Sequence, residues 1–188
     1  MTIGFAMCGS FCTFDEVFPI VRELATQHTL IPIFSNIVCT ADTRFGTAAE
    51  NKAIVTEICG RPPIDSIVAA EPIGPKKLLD VLVIAPCTGN TLAKLAHGIA
   101  DTPVTMAAKS HLRNGRPVLI ALSTNDALAA AAENIGKLLA RRHYFFVPYG
   151  QDAPEGKPTS LIADFSKIPL ALEAAAQGIQ MQPILIQH

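Results

Sequence analysis

Short runs of apolar, β-branched residues alternate along the chain with longer stretches in which apolar side chains return every three or four positions. Six runs, about Ile3–Cys8, Thr29–Ser35, Ile64–Ala69, Val81–Ala85, Pro117–Leu122 and Tyr144–Pro148, predict strands. After the first, Phe14, Val17, Phe18, Val21 and Leu24 recur at helical spacing. Thr13 and Glu16 are placed there as a capping box, and Pro19 predicts a kink or a late helix start. Further helices are expected at about Thr43–Cys59, closed by Gly60, and at Thr91–Ala100. Two more are expected at Asp126–Arg141, with Leu128, Ala131, Ala132, Ile135, Leu138 and Leu139 as its stripe, and at Leu161–Ala176 despite Pro169. Tyr149–Pro158, rich in Gly and Pro, reads as a loop. Strands alternating with helices predict an α/β fold, Rossmann-like and doubly wound, with a six-stranded parallel sheet and helices on both faces. The 188 residues suit a single domain over 1–188, its core at about 3–163 and a C-terminal helix and tail at 161–188.

Composition narrows the function classes. Fifteen Lys plus Arg against 16 Asp plus Glu give a net charge of −1, which supplies no field to hold nucleic acid or an anionic membrane. Hydrophobic residues make up 49% and charged ones 16%, a balance that supports a large core and leaves apolar surface for self-association. No apolar run approaches the ~20 residues of a membrane span, and no signal-type leader opens the chain, so a cytoplasmic protein is expected. Cys8, Cys12, Cys39, Cys59 and Cys87 are odd in number and without a CxxC pair, as for reduced thiols. His28, His97, His111, His143 and His188 are scattered, and none pairs with a Cys at ligand spacing, so no metal site is expected.

In an open parallel sheet, ligands lie beyond the carboxyl ends of the strands where strand order reverses, here between the first and fourth predicted strands. The most unusual turns fall there: Gly9-Ser10, and Pro86-Cys87-Thr88-Gly89-Asn90-Thr91. Gly9, Ser10 and the following helix N-terminus suit a phosphate, although a Gly and a capping Ser also suit an ordinary strand-to-helix turn. The second turn, built of small and amide residues, suits a ligand with many hydrogen-bonding edges. The first turn lacks GxGxxG spacing, and the second strand ends in Ser35-Asn36 with no acid for a ribose. A mononucleotide is favoured over a dinucleotide. Cys87 lies in the second turn and could serve as a nucleophile, but no His or Asp is placed near it in sequence.

The segment Ala85-Pro86-Cys87-Thr88-Gly89-Asn90-Thr91-Leu92-Ala93-Lys94-Leu95-Ala96, followed by Gly98-Ile99-Ala100-Asp101, resembles the APxTANTxAKxAxGIAD signature of the homo-oligomeric FMN-binding flavoproteins. That family includes cysteine decarboxylases and flavin prenyltransferases. Gly9-Ser10, Ser35 and Arg116-Pro117-Val118 match its first-turn GS, its phosphate-side serine and the KPV that opens its fifth strand. The resemblance implies FMN across Gly9, Ser10, Phe11, Ser35, Pro86, Cys87, Thr88, Asn90, Thr91 and Ala121, in a trimer or dodecamer that completes the pocket where protomers meet. Two family features are altered. Pro72 stands where the decarboxylases carry a His, and their PxMNxxMW substrate clamp becomes Leu122 to Ala129, retaining Asn125.

Four other blocks, Thr40–Gly46, Ala70–Asp80, Met106–Lys109 and Val147–Pro154, resemble the B subunits of dipicolinate synthases. That resemblance implies a flavin-binding component in the mother-cell cytoplasm of a spore-forming bacterium. It would act with the A subunit of such a synthase, which resembles a pyridine-nucleotide dehydrogenase and would hold NADP, to oxidise a dihydrodipicolinate-type intermediate. Asn125 is the expected substrate clamp for a small dicarboxylate; Lys76, Lys77, Arg113, Arg116 and Lys157 are further cations that could meet its carboxylates. Two alternatives remain open: a non-redox nucleotide-binding scaffold for the dehydrogenase-like partner, and decarboxylase or prenyltransferase chemistry.

Overall fold

The computed structural model describes residues 1–187; His188 lies outside them. Strands β1 (Thr2–Met7), β2 (Thr29–Phe34), β3 (Val81–Cys87), β4 (Val118–Thr124) and β5 (Tyr144–Phe146) pair in parallel in the order β2-β1-β3-β4-β5. Two short strands, β6 (Tyr149–Gly150) and β7 (Leu161–Ala163), extend the sheet antiparallel at the carboxyl end of β4, making seven strands. The helices are α1 (Phe14–Gln27), α2 (Asn36–Thr40), α3 (Ala48–Cys59), α4 (Ile67–Ala70), α5 (Gly89–His97), α6 (Pro103–Leu112), α7 (Ala132–Leu139) and α8 (Ile168–Ala176). β3 and the first six residues of β4 are buried throughout, as the central strands of a sheet covered on both faces must be. α1 and α8 pack against each other and against β3; α5 and α6 pack against each other and against β4 and β3 respectively. The β1–α1–β2 and β3–α5–α6–β4 connections run in opposite directions along the sheet, so right-handed crossovers put α1 and the α5–α6 pair on opposite faces, and α8 packs beside α1.

The fold class is that expected, with corrections in detail. The segment Ile64–Ala69 is not a strand. Only Ile64 pairs, bridging Ile33, with Ile64 N–H donating to the Pro32 carbonyl at 2.9 Å. Ser66 then caps α4, its Oγ accepting from Ala69 N–H, and Val68 is left 79% exposed. Val81–Cys87 is therefore the third parallel strand, and the strand-order reversal lies between β1 and β3. The same two turns flank it.

Thr13 does not form the expected capping box: its hydroxyl donates to the Ser10 carbonyl at 2.8 Å, and a 3₁₀ turn at Phe11–Thr13 leads into α1. α1 does not start late: it begins at Phe14 and carries Pro19 inside it, on the exposed side opposite buried Phe14, Val17, Val21 and Leu24. Capping boxes form instead at the start of α3, from Thr47 and Glu50, and at the start of α6, from Thr102 and Thr105. The helix expected from Asp126 begins at Ala132, because Asp126 to Ala131 make tight turns, and Leu128 is 51% exposed. The helix expected from Leu161 begins at Ile168; its first residues pair with β4 as β7, and Pro169 falls in the first turn of α8, where no N–H is needed.

α6, which the sequence pattern did not reveal, carries a buried histidine. His111 Nε2 lies 3.0 Å from the Pro117 carbonyl, so the Nε2–H tautomer donates there, while Nδ1 is buried without a partner. Burial pushes the His111 pKa down from 6.5 to about 4. The unfolded chain takes up this proton near the ordinary value and the folded chain only well below it. The stability that neutral His111 protects is thus complete above pH 6.5 and is lost as the pH falls toward 4. Between pH 7.5 and 5.0 this one group should cost about 2 kcal/mol. Urea unfolding at those two pH values should show a falling midpoint in the wild type and a much flatter response in His111→Gln; equal pH responses would remove His111 as the cause.

Candidate functional site

Two hollows of comparable size lie at opposite ends of the sheet. One, about 610 Å³, is bounded by Leu95, Ile99, Leu112 and Tyr144 with Lys109, Arg113 and Arg142 around it, where β4 and β5 begin. The other, about 640 Å³, lies at the carboxyl ends of β1, β3 and β4. It is bounded by Gly9–Thr13, Thr43–Phe45, Thr88–Asn90, Ser123–Asp126 and residues of the 152–162 segment. Only the second contains the two unusual turns and lies at the strand-order reversal, so it is the candidate site.

Its floor is made by strand ends that reach across to one another. Cys8 N–H donates to the Pro86 carbonyl at 3.2 Å, and Ser35 N–H to the Met7 carbonyl at 3.0 Å. Ser10 N–H turns back onto the Cys8 carbonyl at 2.8 Å. The Ser10 and Ser123 hydroxyls are 2.7 Å apart, linking the β1 turn to the end of β4. Gly9 is needed for close approach: a Cβ there would stand 2.7 Å from Ile37 Cγ2. Gly89 is hemmed in by polar groups, since its Cβ would lie 2.8 Å from both Thr124 Oγ1 and Asp126 Oδ1. Those two side chains are themselves bonded, the threonine hydroxyl donating to the carboxylate. Thr88 caps α5, its Oγ1 accepting from Thr91 N–H, and Thr88, Gly89 and Asn90 at the start of this helix line the cleft.

Of the residues implicated by sequence, Gly9, Ser10, Phe11, Thr88, Asn90 and Asn125 line the cleft together. Pro86, Cys87, Thr91 and Ala121 are buried outside its lining. Thr91 points to β1, where its hydroxyl donates to Cys8 Sγ at 3.3 Å. Ser35 is also buried outside the lining, with an Oγ that has no hydrogen-bond partner. Among the basic residues considered, Lys157 lines the cleft, whereas Arg116 ties the start of β4 to the Lys77 and Leu79 carbonyls and lies within 3.7 Å of Asp80. Lys76, Lys77 and Arg113 lie elsewhere.

The charged lining includes groups that periodicity could not single out. Asp152 accepts from Lys157 Nζ at 3.2 Å. Partial burial opposes ionisation of Asp152, but hydrogen bonds from Ser160 and Lys157 outweigh it and hold the carboxyl below its usual range. Arg44 sits on the other side, its guanidinium 4.7 Å from the centre of the Phe45 ring. The Thr40–Gly46 block that carries Arg44 was a usable signal; the charge alone was not.

Comparison with known proteins now bears on this site. Residues 1–165 match the Flavoprotein family. The chain is 44% identical over 187 residues to the B subunit of dipicolinate synthase from Bacillus subtilis (strain 168), covering 99% of this chain and 94% of that protein. It superposes on the crystal structure of the dipicolinate synthase B subunit from Bacillus halodurans with a TM-score of 0.91, at 44% identity, covering 99% and 96% of the two chains. The FMN-dependent cysteine decarboxylase SpaF is more distant, at 25% identity and a TM-score of 0.69 over 94% of this chain and 97% of that one.

The thiols are sorted by burial. Cys87 is fully buried, and desolvation together with the neighbouring Cys8 pushes its pKa well above the ordinary value. Burial likewise raises Cys8, to about 11 despite the Thr91 hydroxyl bond. Neither supplies a thiolate near neutral pH. Cys12 is exposed on the cleft wall. Iodoacetamide at pH 8 should therefore label Cys12 first, the half-buried Cys39 and Cys59 more slowly, and Cys8 and Cys87 only on unfolding. Peptide mass spectrometry over time reads the order, and early labelling of Cys87 would contradict this placement.

Proposed function

The chain belongs to the Flavoprotein family, and on that premise we propose that it is the FMN-binding B subunit of a dipicolinate-forming oxidoreductase. The observation that carries this reading is the cleft at the β1/β3 reversal, lined by glycine backbone, hydroxyl and amide groups, with a serine rather than an acid at the end of β2. A phosphate suits the Gly9-Ser10 turn beneath the helix N-terminus. The buried, unpartnered Ser35 Oγ is a hydroxyl that a phosphate oxygen would satisfy. Gly9, Ser10, Phe11, Ser35, Pro86, Cys87, Thr88, Asn90, Thr91 and Ala121 form the proposed FMN surround, with Pro86, Cys87, Thr91 and Ala121 holding the floor from below. The steric limits at Gly9 and Gly89 support that surround, because a side chain at either position would move a wall of the cleft. When bound, a flavin supplies an acceptor for the hydride that leaves as a dihydropyridine ring aromatises.

The chain's own part is to bind and orient. Asn125, exposed at the end of β4, offers both an amide donor and an acceptor to a substrate carboxylate or ring N–H, and its backbone carbonyl is fixed by the Thr159 hydroxyl at 2.6 Å. Pro72, standing where the resemblance to the cysteine decarboxylases places a His, has no proton to move, which argues against their chemistry. The A subunit of the synthase is the proposed partner and the proposed holder of NADP, in the mother-cell cytoplasm of a spore former. Among the described residues no helix is long and apolar enough to cross a membrane. Ile37, beside Gly9, and Phe45, on the cleft wall, stand 52% and 45% exposed, apolar surface that a second copy would cover in the proposed trimer or dodecamer.

Ser10→Asp should weaken FMN at least about tenfold by setting a carboxylate against the phosphate. Titration of flavin fluorescence tests it, and unchanged affinity would move the phosphate elsewhere. Asn125→Ala should leave FMN affinity nearly intact while slowing dipicolinate formation by the reconstituted two-component enzyme at least about tenfold. Unchanged turnover would assign substrate binding to the dehydrogenase-like partner, and a chain that takes up no FMN would favour the scaffold reading.

A further inference from the structure

We propose that Arg44 is a carboxylate receptor in the cleft, taking one carboxylate of a planar aromatic diacid in its guanidinium fork. The inference deepens the proposed function and rests on it for the identity of the diacid. It begins with charge. Asp42 Oδ1 accepts from Ala48 N–H at 3.0 Å, and Glu50 Oε2 accepts from Thr47 N–H at 2.8 Å and from Thr47 Oγ1 at 2.9 Å. Both acids that flank Arg44 in sequence are thus engaged at the start of α3. Across the cleft, Asp152 is engaged by Lys157. Among the described residues Arg44 has no carboxylate partner.

Its mount is rigid. Thr43 N–H donates to the Gly46 carbonyl at 3.0 Å and Gly46 N–H donates back to the Thr43 carbonyl at 3.2 Å, closing a hairpin with Arg44 and Phe45 at its tip. Gly46 has φ +127°, which disfavours any side chain there. Phe45 N–H is held by Thr43 Oγ1 at 3.1 Å, and the Phe45 ring is the platform for the guanidinium. Arg44 is exposed on the cleft wall, and its planar fork matches a carboxylate better than an ammonium would. The cleft's 640 Å³ falls within the usual range of small-molecule sites.

The test titrates pyridine-2,6-dicarboxylate, by calorimetry, into the full chain with and without saturating FMN, in the wild type, Arg44→Lys and Arg44→Gln. Arg44→Gln should weaken the diacid at least about tenfold and Arg44→Lys less, with the FMN Kd changed by less than about twofold and the unfolding midpoint preserved. The dimethyl ester should not distinguish the three proteins. Equal diacid affinity in all three, or no binding to the wild type, overturns the proposal. So does a matching loss of FMN affinity, which would give Arg44 to the cofactor phosphate. Failure of the wild type to bind FMN would instead sink the functional reading, while the titration without FMN would still report on Arg44.

Discussion

The cleft depends on one constraint: β1 pairs in parallel with β2 on one side and with β3 on the other. Buried backbone N–H and C=O groups must be paired, and a central strand with both edges occupied pairs fully. Because the chain leaves β1 toward one neighbour and returns on the opposite side as β3, the segments that follow the two strands diverge, and nothing from the sheet fills the gap between them. Cross-links at the floor keep the gap from widening: Cys8 N–H to the Pro86 carbonyl, and the Ser10 hydroxyl to Ser123. Pro86, with no N–H to give β4, coincides with the register shift between Ile84 and Cys87, so ordinary pairing stops where the floor begins.

What the sequence made legible follows from this. Five of the six expected strands exist because long apolar runs have few other ways to be buried. Ile64–Ala69 is apolar enough to read as a strand, yet Pro62 and Pro63 precede it without N–H donors and Ser66 is a better helix cap than a strand residue. β6 and β7 were hidden because strands of two and three residues carry no periodicity, and they arise only where the end of β4 needs partners. α6 was hidden because a buried Ser110 and His111 break its apolar stripe, although Thr102 and Thr105 mark its start with reciprocal bonds.

The cleft itself was legible where its chemistry lies in backbone and turn residues, and opaque where it lies in charge. Gly9-Ser10 and Thr88-Gly89-Asn90 mark themselves by standing at strand ends. Arg44, Asp126 and Asp152 do not, since a charged residue in a loop looks the same whether it meets solvent, a neighbour or a ligand. Their roles depend on which partners the fold brings within reach: Thr124 for Asp126, Lys157 for Asp152, and for Arg44 an aromatic ring. Cys87 errs in the opposite direction. It stands within a motif and looks reactive, but closing the floor of the cleft requires it to be buried, and burial keeps its thiol protonated.

Two kinds of group thus divide the cleft. Backbone donors, hydroxyls and small side chains at the strand ends cannot change much without moving the cleft walls, because a side chain at Gly9 would collide with Ile37 and one at Gly89 with Thr124 and Asp126. Such groups suit the invariant part of a ligand set, a cofactor phosphate and ring. The Thr43–Gly46 hairpin, Asn125 and the 152–160 segment hang from the sheet by loops, and each can change without moving the floor. A change of substrate on such a cradle would therefore belong on those loops. A fold held by the pairing of β1 can keep one cofactor cradle while its rim is rebuilt for another acid.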